Sequence, residues 1–224
     1  MSRRVAWLLA AVAAVAVGVI AGGAVLVALQ LAGSSVAESD AAPDAGAVAS
    51  GGGVKCGVER WAVKTLSDDD AARVIFTPEQ TTVDDLRRLR LPVVSPTTKR
   101  LESERRTVTV AARLIDAKVE DDHDVHLVIA EPGDPTKTMI AELPDVGCSG
   151  PIDSAKREEM RQAREAFDQA CGEPSKSKFV HLGANATATI TGVLFVDAIH
   201  GQRGAAPNGV EIHPVLKIEI SSCR

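Results

Sequence analysis

Thr107–Leu114, TVTVAARL, decides how this chain folds. Val108, Val110, Ala112 and Leu114 alternate with Thr107, Thr109, Ala111 and Arg113. Period two over eight residues predicts a half-buried strand. The pattern recurs downstream. Val125, Leu127 and Ile129 alternate with Asp124, His126 and Val128 and predict a second strand. Lys137–Leu143 predicts a third, after the turn Pro132-Gly133-Asp134-Pro135. Then the period changes. Met160, Ala163, Phe167 and Ala170 form an apolar stripe at helical spacing, with Asp153 or Ser154 as cap and Gly172 and Pro174 as the stop. Ala186–Ala198 predicts a fourth strand, with Ile190, Leu194 and Val196 on one face and Gly192 at a bulge or close approach. In the last strand Ile212, Pro214, Leu216, Ile218 and Ile220 face one way. Glu211, His213, Lys217 and Glu219 face the other.

Three strands, a helix and two strands give the order of an OB-fold, the five-stranded Greek-key barrel, over residues 105–224. An α+β sandwich shares that order. The expected class is mainly β with one or two helices. Residues 55–104 form an extension before it. There Glu59, Trp61 and Val63 alternate with Arg60, Ala62 and Lys64 and predict a short strand. Ser67-Asp68-Asp69-Asp70 reads as a turn or a helix start, with Ser67 as N-cap. Thr82–Leu89 reads as a short helix, capped by Thr82, with acids in the first turn and arginines in the last, ended by Leu91-Pro92.

Residues 5–29 are free of charge and long enough to cross a bilayer, for which about 20 apolar residues suffice. Arg3 and Arg4 precede the run, and Glu38, Asp40 and Asp44 follow it. The arginines stay inside, so residues 1–32 are expected to be a single-pass membrane anchor with a cytoplasmic N-terminus and an extracytoplasmic C-terminal domain. The alternative is a cleaved signal peptide, for which Ser35-Val36-Ala37 would serve as the cleavage site. The apolar run exceeds the roughly 7–15 residues such peptides use. Residues 33–54, rich in Ala, Gly, Ser and Asp, read as a flexible linker.

The net charge is −5, with two Trp, four Phe and no Tyr, so neither a basic footprint nor an aromatic stacking platform points to nucleic acid. Cys56, Cys148, Cys171 and Cys223 all follow the anchor. An even count in an oxidising compartment predicts two disulfides, and three pairings are open. No C-x-x-C spacing points to a zinc ribbon or a thioredoxin-like pair.

Residues 56–65, CGVERWAVKT, resemble the start of a group of exported bacterial proteins of unestablished function. Residues 201–216, GQRGAAPNGVEIHPVL, resemble that group's C-terminal signature, and Asp124–Ile129 and Thr138–Glu142 match as well. The resemblance covers residues 56 to 220. It implies a pair between Cys56 and Cys148, which leaves Cys171 for Cys223. It brings no activity with it.

Three groups of residues have functional chemistry. The first is the acidic run Glu120-Asp121-Asp122-His123-Asp124, the loop between the first two barrel strands. Asp121, Asp122 and Asp124 could hold a divalent cation such as calcium or magnesium, the only cofactor the sequence suggests. The glycine of a calcium-binding loop is missing, and a solvated turn that keeps the strands soluble is the more economical account of the acids. The second is the Gly/Pro-rich loop His200–Gly209, in which His200, Gln202, Arg203 and Asn208 could converge on a polar or anionic ligand. A rigid hairpin connection is the alternative. The third is His126, Glu142, Glu211 and His213, whose alternation puts them all on the polar face. They suit zinc or acid–base work, and outward-facing polarity also accounts for them.

G-x-S-x-G, P-loop and H-E-x-x-H motifs are all missing from the sequence. The expected function is therefore a membrane-anchored extracytoplasmic binding or interaction module, with a ligand or protein partner the sequence does not identify. The alternative is a metal-dependent phosphodiesterase, because thermonuclease-like enzymes place acids and an arginine on an OB barrel. Arg113 or Arg203 would supply the arginine. The arginine-leucine-glycine-aspartate run of those enzymes is absent here.

Overall fold

The computed structural model describes Gly57, residues 59–147 and residues 154–223. The anchor, the linker, Cys56, Cys148 and the Asp153 cap lie outside the described residues. Among the described residues no helix is long and apolar enough to cross a membrane.

The described residues are mainly β, with seven strands in one sheet and three short-to-medium α-helices. The elements run α1 (Trp61–Lys64), β1 (Ile75–Thr81), α2 (Val83–Arg87), β2 (Arg106–Val119), β3 (Val125–Glu131), β4 (Asp134–Leu143), α3 (Arg157–Cys171), β5 (Val180–His181), β6 (Thr187–Val196) and β7 (Val210–Ser222). β2 pairs antiparallel with β3, β3 with β4 and β6 with β7; β4 pairs parallel with β7. β6 also pairs antiparallel with β2, so the order β2-β3-β4-β7-β6 returns to its start. Closing the cycle removes the unpaired edges that five strands would otherwise expose. β1 adds to β2 in parallel, and β5 to the far end of β2.

Inside the closed cycle lie the alternating residues. Val108, Val110 and Leu114 of β2, Leu127 and Ile129 of β3, and Ile190 of β6 are all fully buried. α3 adds Ala163 and Phe167 to the same core, and α2 adds Leu86. Ala170, expected on the apolar stripe of α3, is exposed; Cys171 is buried in its place and bridges to Cys223 with a Cα–Cα distance of 5.3 Å. Thr82 caps α2, its hydroxyl accepting the amide of Asp85 at 3.0 Å. The N-cap of α3 is Lys156, which makes no side-chain capping bond, although the Ser154 hydroxyl accepts the Lys156 amide at 3.1 Å.

Several local expectations are corrected. Residues 61–64 are a helical turn rather than a strand. Arg60, in the left-handed region at φ 52°, turns its guanidinium onto Glu104, and that long-range pairing sets the local conformation. Ser67 caps no helix; the following 3-10 turn begins at Asp70 without a side-chain cap. Asp134 and Pro135 belong to β4, so the hairpin turn is only Pro132-Gly133. In β7 the alternation slips. The register with β6 shifts between Thr191 and Gly192 and again between Gly192 and Leu194, which brings Val215 into the core and leaves Leu216 against a smaller cluster with Met160 and Val193. Gly192 sits at this bulge, where a methyl group would collide with the Pro214 carbonyl and Ile212.

Candidate functional site

The loops 120–124 and 197–209 flank a cleft of about 550 Å³. Glu120, Asp121 and Asp122 form one wall. Asp197, His200, Gln202 and Arg203 form the other, and His126, Glu142 and Glu211 lie on the floor. Lys64, Glu59, Phe179 and Gly57 complete the lining.

Strand pairing explains the floor. His126 and Glu142 are direct partners across β3 and β4. Parallel pairing of β4 with β7 sets Ile140 opposite Glu211 and Ala141 opposite Ile212, so Glu142 and His213 come next to each other. The His126 Nδ1–Glu142 Oε1 distance is 3.5 Å, and the His213 Nδ1–Glu142 Oε2 distance is 2.9 Å. Asp124 joins from the acidic loop, its Oδ2 3.5 Å from His213 Nε2. The structure thus brings together His126, Glu142 and His213 of the polar-face group, with Glu211 beside them and Asp124 added.

That face is not solvated, and the expectation of outward-facing polarity is corrected. His126, Glu142, Glu211 and His213 are all buried, His213 and Asp124 completely. The 197–209 loop folds over β3. The Arg203 carbonyl accepts from His126 Nε2 at 2.9 Å, and Gly204, at φ +85°, lies so close to Val128 that a methyl there would clash. A carbonyl only accepts, so His126 carries a proton on Nε2.

The other predicted residues separate. Asp121 and Asp122 stay on the cleft wall, while Asp124 turns inward, its Oδ1 accepting the Asp145 amide at 2.7 Å. His200 is exposed at the rim, 3.9 Å from Asp197. Gln202 donates to Asp197 at 2.8 Å and braces its own loop. The Arg203 guanidinium is paired with Asp116 at 2.6 and 2.9 Å. Asn208 does not line the cleft. Its amide donates to the Leu86 and Leu89 carbonyls at 2.9 and 3.0 Å, and its carbonyl accepts from the Val210 amide, so the side chain fastens the loop to α2.

Sequence reasoning missed Glu59, Lys64, Asp197 and Phe179. Lys64 was hidden by the strand reading of its segment; helical spacing sets it four residues after Arg60. Phe179 packs edge-on against His126 at 5.2 Å, with Arg203 over its face at 5.3 Å. No pattern in the sequence links it to β3.

The electrostatics are those of a crowded, acid-rich interior. Burial alone would lower the Lys64 ammonium, but Glu142, Glu211 and Asp197 outweigh it and hold its pKa above the ordinary value. Burial pushes Glu211 well up, aided by Glu142 and Asp197. Burial would also raise Glu142, yet His213, His126 and Lys64 together hold it well below the carboxylate range. For His213 burial opposes the charge, and Glu142 and Asp124 overcome it and lift the pKa to about 9.

This last shift has a definite sign. The folded pKa of His213 stands above its ordinary 6.5, so the folded state keeps a proton that the unfolded chain has lost. The stabilisation is complete below about pH 6.5 and disappears as pH rises through about 9, a change of about 3 kcal/mol. Glu211 contributes a loss of the same sign that begins above its ordinary 4.5, because its pKa is also raised. Denaturant midpoints of the full chain in chelator should fall across this window. His213→Gln should reduce the slope, and an unchanged slope would contradict the assignment.

No protein-family model and no curated protein sequence matches the chain. Among solved structures, a chain described as an aspartyl-tRNA synthetase from Leishmania major Friedlin aligns at 12% identity and a TM-score of 0.38. The alignment covers 67% of this chain and 22% of that one, and a likeness at this level carries no argument about fold or function.

Proposed function

We propose that the chain is a membrane-tethered, extracytoplasmic binding module on an OB-like barrel, and that its cleft takes a small organic cation. One observation carries the ligand class. Seven carboxylates line the cleft (Glu59, Glu120, Asp121, Asp122, Glu142, Asp197 and Glu211) against one lysine and one arginine. The arginine is already paired with Asp116. A cleft lined by one sign of charge concentrates ligands of the other.

The closed order β2-β3-β4-β7-β6, with α3 between β4 and β6, supports the OB-like reading. In such barrels the first-to-second and fourth-to-fifth strand loops flank the binding face, and these are the loops that line the cleft here. The apolar N-terminal run and the exported-protein motifs support the tether. The phosphodiesterase alternative gains no particular support. It needs a free guanidinium beside the acids; Arg113 reaches the Ala184 carbonyl, and Arg203, although it lines the cleft, is paired with Asp116.

Calorimetry with spermine and with inorganic phosphate tests the reading. Spermine is expected to bind, more weakly as salt rises, and phosphate is not. Asp121→Asn with Asp122→Asn should weaken spermine roughly 3- to 30-fold, as for two partly exposed charge pairs. Phosphate binding without spermine binding would overturn it.

A further inference from the structure

Below the cleft floor, Asp124, Glu142 and His213 come from three separate elements, the acidic loop, β4 and β7. One ligand atom from each lies within 4.8 Å of the other two. Proximity of acids alone would mean little, but these groups are also incompletely satisfied. Asp124 Oδ2 and both ring nitrogens of His213 are buried and have no hydrogen-bond partner. The nearest atoms, Glu142 Oε2 at 2.9 Å and Asp124 Oδ2 at 3.5 Å, are close to the ring nitrogens, but they do not meet them with hydrogen-bond geometry. A buried polar atom left in this state costs about 1–3 kcal/mol, and native interiors hold few of them. The unpartnered Asp124 oxygen and His213 ring, with the Glu142 carboxylate beside them, have a common remedy, which is a cation held by one ring nitrogen and the two carboxylates.

We propose that Asp124, Glu142 and His213 form a binding site for a single divalent cation of the zinc class. One imidazole nitrogen and two carboxylate oxygens are a donor set that suits zinc, with a fourth position open on the cleft side, where Glu142 lines the lumen. Calcium requires about six to eight oxygens, more than the pocket offers. The supporting shell is in place. Asp124 Oδ1 is fixed by the Asp145 amide at 2.7 Å, which aims Oδ2 at His213. His126 lies 3.5 Å from the other oxygen of Glu142 and is itself fixed by the Arg203 carbonyl. On binding, the imidazole lone pair goes to the metal and the ring proton it replaces leaves to solvent. The site does not require the organic cation of the cleft, so either proposal can fail without the other.

The test is zinc titration of the full chain, stripped with chelator and dialysed. One zinc per chain is expected, with a rise in melting temperature, and Co2+ in its place should give visible d–d absorption. Glu142→Gln and Asp124→Asn should each weaken zinc by at least about 10-fold. His181→Gln, an exposed histidine beside Asp116, should leave it unchanged. Should either site variant fail to fold, ring-nitrogen NMR of the unaltered chain decides. Zinc must shift His213 and leave His181 and His200 in place. No zinc uptake, full uptake by folded Glu142→Gln, or shifts at His200 in place of His213 would each overturn the site.

Discussion

Glu104→Gln is expected to lower the melting temperature by roughly 6–20 °C, the largest single effect in the molecule. Glu104 is completely buried, and its carboxylate meets the Arg60 guanidinium at 2.6 and 2.7 Å. Both oxygens do more. One accepts the Val196 amide at 2.9 Å and the other the Leu101 amide at 2.6 Å. Arg60 in turn donates to the Thr98 and Val196 carbonyls at 2.8 and 2.7 Å and lies 4.7 Å over the Phe195 ring. The pair therefore ties the 57–104 extension to the end of β6, next to the loop that forms one cleft wall. Removing one charge strands the other in the interior and costs about 3–5 kcal/mol. Replacing both, as Arg60→Met with Glu104→Leu, should cost markedly less, because no unpaired charge is then left behind. A Glu104→Gln loss below about 1 kcal/mol by chemical denaturation would show that the pair is not the clamp described.

The second large effect belongs to the disulfide. Cys171 ends α3 and Cys223 follows β7, at a sequence separation of 52. Closing a loop of that length removes about 4 kcal/mol of unfolded-chain entropy. Cys171→Ser with Cys223→Ser should therefore lower the melting temperature by roughly 8–16 °C under oxidising conditions. Substitution is the better probe than a reductant, because it acts on this bridge alone. Unchanged melting would mean that packing of Phe167 and Met160 already holds α3 against the sheet.

How much of this was legible depends on whether a residue's fate is decided by its neighbours in sequence. β2, β3 and β6 could be read because one face of each enters the core, which enforces period two. β1, by contrast, is exposed at nearly every position. Backbone pairing with β2 holds it, and pairing leaves no hydrophobic pattern. The four-residue α1 is too short for its period to be told from a strand's, and Arg60's left-handed conformation depends on a partner 44 residues away. For the site, alternation put His126, Glu142, Glu211 and His213 on one face, and the β3–β4–β7 pairings brought His126, Glu142 and His213 into contact. The burial of His126 was not legible, since it comes from a loop some 75 residues further on folding over β3. Asn208 shows the limit most plainly. Its residue type suits ligand binding, and only the Leu86 and Leu89 carbonyls within its reach assign it to structure.

Amide chemical-shift mapping of the full chain with spermine tests most directly whether the acid-lined cleft is the binding face. The account predicts shifts concentrated at residues 120–122 and 197–203, with Lys64 responding as well. Shifts concentrated on β1 or on the exposed side of α3, with those two loops silent, would contradict it.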